Sequence, residues 1–482
     1  MKDKIMLLLY EWKHIARQPA VWMLFFFFFV IGGYAIYSGN VLTQKKLAAI
    51  DEARKESVKD YHNTLRAFTD TASVEKKQQA ENAGNPYVID YRYPRIAFDQ
   101  PYPLTGLASG IKDITPVTEK VNYYTDYAAV DREMTNPSIL FEGRLDLLYV
   151  NLYLIPLLII VLVYNVISSE KEKGISHLLI IQGGTLKKVL FGKLLTRLII
   201  VFLAAFIVNV LGMLLSPSGF PSFRDAFLWF FLLFSYCVLW ISLCFVVIAL
   251  DGNSVFNLFT CIAFWVFLMF LLPLAINKTA QMKHPSDLKL LDLEERDRQI
   301  SDEVWAMKPK MVVDSFYKNF PRYAPAYSPS DTTDNQNDAF FAGYYYIKQS
   351  RMKAVIDSLW EGDNKANQTA YRLIRYNPVQ STEHLFTLLA RTSRADYLGY
   401  KQDVKDFRHV WQTFFYDRVF SMKDGKREIS KLTPEELTKL PTFEVKHHEV
   451  KISDFIWGTL LLWMISIGCF IGGLIMIRKF KQ

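Results

Sequence analysis

Six stretches of this sequence contain no Asp, Glu, Lys, Arg or His: approximately Ala20 to Tyr37, Leu147 to Ile167, Leu198 to Leu215, Ala226 to Leu250, Val255 to Ile276, and Phe455 to Ile477. Each is about the ~20 apolar residues that a helix needs to cross a hydrocarbon core. A backbone in lipid must satisfy its own hydrogen bonds, so such stretches fold as helices. The averages, 51% hydrophobic and 22% charged, describe neither these stretches nor the rest, because the charge is gathered between them. A disordered chain, a disulfide scaffold and an ordinary soluble enzyme are thereby excluded. All four cysteines, Cys237, Cys244, Cys261 and Cys469, fall within the apolar stretches, so the external parts contain no disulfide.

Six crossings place both termini on one side, and the short flanks select that side. Lys2, Lys4, Lys13 and Arg17 precede the first span, and Lys171, Lys173, Lys187, Lys188, Lys193 and Arg197 separate the second from the third. Arg478, Lys479 and Lys481 follow the last span, whereas the opposite short loop, Ser216 to Arg224, offers only Arg224. The termini and the 168–197 loop are therefore expected in the cytoplasm. The net charge of +8 records this orientation. No basic run with interleaved aromatics points to nucleic acid. The chain then divides into an interfacial helix (1–19), spans at 20–38, 147–167, 198–215, 226–250, 255–276 and 454–477, and a tail (478–482). The 168–197 loop joins spans two and three, and the external insertions are 39–146 and 277–453. The first span is too long for a typical signal-peptide core, and no small-x-small cleavage site stands out before Asn40.

Ahead of span one, Ile5, Leu8, Leu9, Trp12, Ile15 and Ala16 recur at helical intervals opposite Lys4, Glu11, Lys13, His14 and Arg17. This pattern predicts a helix lying on the membrane, with Trp12 at headgroup level, before Pro19 turns the chain inward. In the 168–197 loop, Glu170 to Lys173 alternates in charge, and Ile175, Leu178, Leu179 and Ile181 form an apolar strip. Gly183 and Gly184 close that segment, and Thr185 can cap the next helix. A short helix across the membrane surface follows, shaped either as a plain connector or for docking in a partner's groove.

The stretch NPSILFEGRLDLLYVNLYLIPLLIIVLVYNVISSEKEKG, from Asn136 to Gly174, carries Asn136, Pro137, Gly143, Asp146, Pro156, Glu170 and Gly174. It resembles the passage from a Gly-x-x-Asp at the membrane surface, through a proline in span two, to a Ser-Glu-(Arg/Lys)-x-x-Gly in the membrane subunits of bacterial type 2 ABC exporters. The permeases with large periplasmic insertions are the most similar. LLIIQGGTLKKVLFGKLLTR resembles the segment through which such permeases meet their ATPase, and Asn377 to Phe415 resembles the helical end of their second insertion. The resemblance implies an all-α polytopic fold of six transmembrane helices with two mainly helical extracytoplasmic insertions, in the inner membrane. It implies a non-catalytic permease that binds no cofactor itself, with MgATP held by two copies of a cytoplasmic ABC ATPase. The other implied partners are a second permease, identical or paralogous, membrane lipid and an optional periplasmic protein. ATPase coupling is expected around Glu170, Lys171, Lys173, Gly174, Leu178 and Gln182. Leu8, Trp12 and Arg17 mark the interfacial helix, and Gly143, Asp146 and Pro156 the membrane-surface motif.

The residues agree about the energy source. A proton-driven carrier generally needs an ionisable group within the membrane, and the apolar stretches have none. GGTLKKVLFGKL has the wrong glycine spacing for a phosphate loop, with Leu194 where Ser or Thr should follow Lys193. The energy must come from another subunit. The substrate expected is hydrophobic or amphipathic; the alternative is a device whose insertions act on an envelope partner while nothing crosses.

Within the spans, Phe25 to Phe29 is expected to face lipid or a partner span. The Gly468–Gly472 edge is expected to pack mainly within the chain, and Asn151, Asn165 and Asn209 to bond between helices. In the insertions, helices are expected over Thr43 to Ala83, Thr115 to Met134, Pro285 to Trp305, Asp338 to Tyr376 and Ser381 to Phe420. Tyr87 to Gly106 is expected to be extended, and Thr442 to Ile452 a weak strand. His447 and His448 read as a solvated cluster rather than a metal site, because neighbours on a strand point to opposite faces.

Overall fold

The computed structural model describes residues 11–13, 15–70, 73, 77, 80–124, 145–172, 174, 186–283, 290–445 and 452–479. Six helices are long and apolar enough to cross a membrane. They are α1 (Pro19–Thr69), then, after a short helix α2 (Pro86–Arg92), α3 (Leu147–Glu172), α4 (Leu186–Leu214), α5 (Phe223–Ile248), α6 (Ser254–Ala280) and, nearest the C-terminus, Ile452–Lys479. The protein is an all-α polytopic membrane protein.

Span one does not stop at the membrane. Pro19 occupies the first turn, where its missing N–H is harmless, and the 51 residues of α1 extend roughly 75 Å at 1.5 Å per residue. A hydrocarbon core takes about 30 Å of that. Beyond Gly39 the sequence contains good helix formers and an i,i+4 Asp51–Lys55 pair at 2.6 Å. The first helix ends at Thr69, with Asp70 extended as its cap, and residues 77 and 80–82 of the expected stretch to Ala83 are helical again.

The first insertion is less extended and less helical than its composition implies. Asn85 accepts a hydrogen bond from Tyr87 N and starts α2, followed by β1 (Arg95–Phe98), which pairs antiparallel with β2 (Thr118–Val121). The expected helix from Thr115 is thus a strand where it is described. Pairing of Arg95 with Val121 and Phe98 with Thr118 overrides local helical preference. In the second insertion, α7 (Leu290–Trp305), α8 (Pro309–Asn319) and α9 (Asp338–Ile374) pack together. The expected helix from Ser381 divides into α10 (Pro378–Ala390) and α11 (Arg394–Val419). Arg391 takes a left-handed φ of 56°, and Ser393 with Asp396 forms a capping box that starts α11. Thr442 to Val445 forms no strand, and the remainder of that segment, with His447 and His448, lies outside the described residues.

The second insertion packs partly among the spans. Val379, Leu385, Phe386, Leu389 and Ala390 of α10 belong to the same core as the spans, with Phe386 against Trp229 at 4.5 Å. This helix is a wedge between the spans, too short and too polar at Glu383 and His384 to cross a membrane itself.

Span packing follows the expected rules in part. Asn151 and Asn209 exchange hydrogen bonds at 2.9 and 3.0 Å, and Trp229 Nε1 donates to Asn209 at 2.9 Å. Phe26, Phe27 and Phe29 are exposed, while Phe25 and Phe28 are buried. Gly473 packs against Phe245, but the Gly468–Gly472 edge meets nothing within 4 Å, so the packing expected of it within the chain does not occur.

A second core, built from both insertions, is rich in aromatics: Tyr123 stacks on Phe415 at 4.0 Å and Phe316 meets Phe420 at 4.8 Å. Beside it, the buried Asp90 accepts from Trp411 Nε1 at 2.7 Å and Tyr123 N at 3.1 Å. Burial raises its pKa to about 6, against the lowering effect of these bonds and of Arg95. The folded state therefore holds this proton more tightly than the unfolded chain, and Asp90 contributes less stability as pH rises from 3.8 to about 6. About two pK units correspond to roughly 3 kcal/mol. Asp90→Asn should therefore shrink the gain in thermal stability of the intact protein between pH 7.5 and pH 5; an unchanged gain would refute the assignment.

Candidate functional site at the membrane face bearing the termini

The segment Ser168–Glu172, at the end of α3, is held from two sides. On one side, Glu170 pairs with Lys193 of α4. Lys193 Nζ also meets Glu11 Oε1 at 3.4 Å, and Arg197 Nη1 meets Glu11 Oε2 at 3.3 Å. Arg197 further donates through Nε to Leu162 O at 2.8 Å and through Nη1 to Lys193 O at 3.1 Å. Two acids and two bases thus form a neutral cluster that fastens the helix before span one to spans two and three. Glu11, Lys193 and Arg197 are only 4%, 4% and 7% exposed, so each charge depends on the others for its solvation.

On the other side, Lys171 pairs with Asp251 in the turn between spans four and five. Glu172 accepts from Ser254 N at 2.8 Å, satisfying an orphan donor at the start of α6. Ser254 Oγ donates to Ser168 Oγ at 3.0 Å, and Asn257 Nδ2 donates to Tyr164 O at 3.2 Å. Three consecutive charged residues therefore connect the pre-span helix and spans two to five.

Glu170 and Lys171 thus both lie in this junction, engaged with their own chain. Gly174, two residues past Glu172, has a φ of 71°, and a Cβ there would meet nothing within 4 Å; the turn needs its conformation, not its small size. Trp12 is 49% exposed and Arg17 is exposed. Lys173, Leu178, Gln182, Leu8 and Gly143 lie outside the described residues.

The membrane-surface residues have structural work at the opposite end. Asp146 caps α3, accepting from Tyr149 N at 3.0 Å, Ser109 N at 2.9 Å and Ser109 Oγ at 2.8 Å. Pro156 follows a π-turn at Val150–Leu154 and has no N–H for the carbonyl of Leu152, which accepts from the Tyr236 hydroxyl at 2.8 Å instead. A second π-turn, Phe267–Leu271, precedes Pro273, and there Leu268 O accepts from Asn377 Nδ2 at 2.9 Å. Around them, the loop 101–109 ties the spans together: Leu148 N bonds Leu107 O at 2.8 Å, Ser216 Oγ bonds Pro103 O at 2.7 Å, and Tyr102 bonds Asp225.

Glu11, Asp251, Ser254 and Asn257 are the members of the junction that sequence reasoning missed, and Lys193 and Arg197 counted only as orientation charges. The available signal was the i,i+4 spacing of Lys193 and Arg197, which places both on one helix face awaiting an acid. Among the described residues no group of His, Cys, Asp and Glu is arranged to hold a metal.

The chain is a polytopic helical bundle with a charged junction beside its second span and a large insertion following the first and fifth spans. The family model described as ABC-2 family transporter protein matches residues 5–370, so the chain belongs to that family and is a permease subunit of an ABC transporter. The family implies partnership with an ABC ATPase subunit. The matched region stops before α10, α11 and the last span. No curated protein and no solved structure matches the chain.

Proposed function

We propose that this permease is the membrane half of an exporter, driven by two copies of a separate cytoplasmic ATPase and paired with a second permease, identical or paralogous. The face bearing the termini is cytoplasmic, the insertions are external, and in a two-membrane bacterium they are periplasmic. The ATPases push on the segment beginning at Glu170, and the substrate is hydrophobic or amphipathic. The junction at Ser168–Glu172 carries this reading, because it turns one push into movement of several spans. Glu170→Gln keeps the side chain's size and leaves Lys193 with Glu11, so the chain should fold and still co-purify with its ATPase. In proteoliposomes the complex should hydrolyse ATP while export falls by about tenfold or more. Unchanged export would remove Glu170 from the coupling path.

A second reading is favoured by one observation: span one and the stalk of the first insertion are a single unbroken helix, α1, which suits transmission of movement to an envelope partner. Stimulation of the ATPase by a candidate substrate in proteoliposomes supports export. Stimulation that requires an added periplasmic extract supports the mechanical device.

A further inference from the structure

A cavity of about 40 Å³ lies where the loop after β1 meets the turn between α10 and α11. Such a volume has room for about three waters or one compact ionic group. Phe98, Tyr102, Tyr400 and Phe443 supply aromatic walls, with Phe443 edge-on to Phe98 and Tyr400 at 6.1 and 6.2 Å. Arg391 and Lys112 supply cations.

The two cations differ in what holds them. Lys112 pairs with Asp99 at 2.8 Å. Arg391 lies over the Tyr102 ring at 4.0 Å, and its Nε is buried with no hydrogen-bond partner among the described residues. The other acids of the lining are committed: Asp396 accepts from Ser393 N at 3.0 Å and from Ser393 Oγ, closing the capping box of α11. Asp403, about two turns further along α11, is engaged as well. A buried guanidinium N–H without an acceptor is costly, and an oxyanion supplies one.

The backbone agrees. Arg391 has a φ of 56°, a left-handed conformation in which glycine is the least strained residue. An arginine placed there is retained for its side chain. The turn that carries it is fixed against the loop 105–112. Thr392 Oγ1 donates to Ala108 O at 2.8 Å, Ile111 N donates to Thr392 O at 3.0 Å, and a Cβ on Gly110 would lie 2.4 Å from Thr392 O. The guanidinium is thereby preorganised. Tyr102 also bonds Asp225 in the first turn of α5, so the cavity lies at the end of a span, at the level of a bilayer's phosphates.

We infer that Arg391, backed by Tyr102 and Lys112, forms a binding site for a phosphate group, carried on the headgroup of an amphiphile or free as inorganic phosphate. The planar fork of arginine matches phosphate oxygens two at a time. The aromatic walls suit the carbon atoms next to the phosphate. The site goes beyond the proposed export function, since it needs only that the spans lie in a bilayer.

The test titrates the intact chain in maltoside micelles with dihexanoylphosphatidic acid, with dihexanoylglycerol as the same molecule lacking the phosphate, and with inorganic phosphate. Saturable binding of the phosphatidic acid and none of the diglyceride are expected. Arg391→Lys, which keeps the charge without the fork, should weaken binding several-fold, and Arg391→Gly about tenfold or more. Glycine suits the left-handed φ, so Arg391→Gly should keep or raise the thermal midpoint while losing the ligand. A merely structural arginine would instead lower the midpoint and leave the affinity alone. Inorganic phosphate binding as tightly as the phosphatidic acid identifies the free anion as the ligand; affinity about tenfold weaker without the acyl chains identifies the headgroup. Equal binding of the diglyceride, or equal affinities in Arg391→Gly and the natural chain, overturns the site.

Discussion

Replacing Glu11 by alanine is expected to destabilise the intact protein by about 3–5 kcal/mol, the range found when one member of a buried ion pair is removed. The reason lies in the company Glu11 keeps. It is the acid that Arg197 meets at 3.3 Å, and it shares Lys193 with Glu170. Without it, Arg197 keeps hydrogen bonds to the carbonyls of Leu162 and Lys193, and Glu170 alone must balance both Lys193 and a guanidinium in a desolvated place. A steep fall in the thermal midpoint of the detergent-solubilised chain is the expected result. A double variant, Glu11→Leu with Arg197→Met, removes the orphaned charge with its partner and should recover most of the loss, because apolar replacements of buried ion pairs are often neutral. If Glu11→Ala unfolds at the temperature of the natural chain, the cluster is not what fastens the pre-span helix.

The second large effect is steric. Gly39 sits in α1 where the loop 101–109 crosses it, and a Cβ built there would lie 1.8 Å from the Gly106 carbonyl oxygen. Both partners are backbone, so neither can rotate away. Nearby, Asn40 Nδ2 bonds Leu215 O at 3.0 Å and Leu107 O takes Leu148 N, so moving the loop strains the outer ends of several spans. Gly39→Ala is expected to cost at or above about 3 kcal/mol, the upper part of the usual overpacking range, even though alanine is the better helix former. Gly33, two turns earlier in the same helix, is the control: nothing lies within 4 Å of its Cβ direction. Gly33→Ala should be neutral, or stabilising by up to about 1 kcal/mol. Similar losses at both positions would mean that helix flexibility, not the crossing, requires Gly39.

Parts of the structure were legible from local chemistry. Asn377-Pro378 marks the start of α10 because Asn caps and Pro fits the first turn. Pro19 starts α1 for the same reason. The break at Arg391 had a signal in Ser393 and Asp396, the two ends of a capping box, which the helical periodicity of the surrounding residues concealed. The strand at Thr118–Val121 had no comparable signal. Its partner is some twenty residues away, and four residues are too few for a period of two to stand out. Likewise, the site residues Glu170 and Asp146 could be located on the sequence but not assigned partners, since Lys193 and Ser109 come from other elements.

By itself the sequence determined the number of spans, the side on which the basic flanks gather and the family. These follow from local quantities: the transfer free energy of about twenty residues and the charge beside them decide insertion without reference to the rest of the chain. Only the tertiary structure decided that Glu11 neutralises Lys193 and Arg197, that α10 enters the bundle, and that Gly39 rather than Gly33 admits a crossing backbone. Those depend on residues distant in sequence being brought together. Apolar side chains gain little from one another over lipid, so contacts between spans are selected by close backbone approach and by polar groups seeking partners.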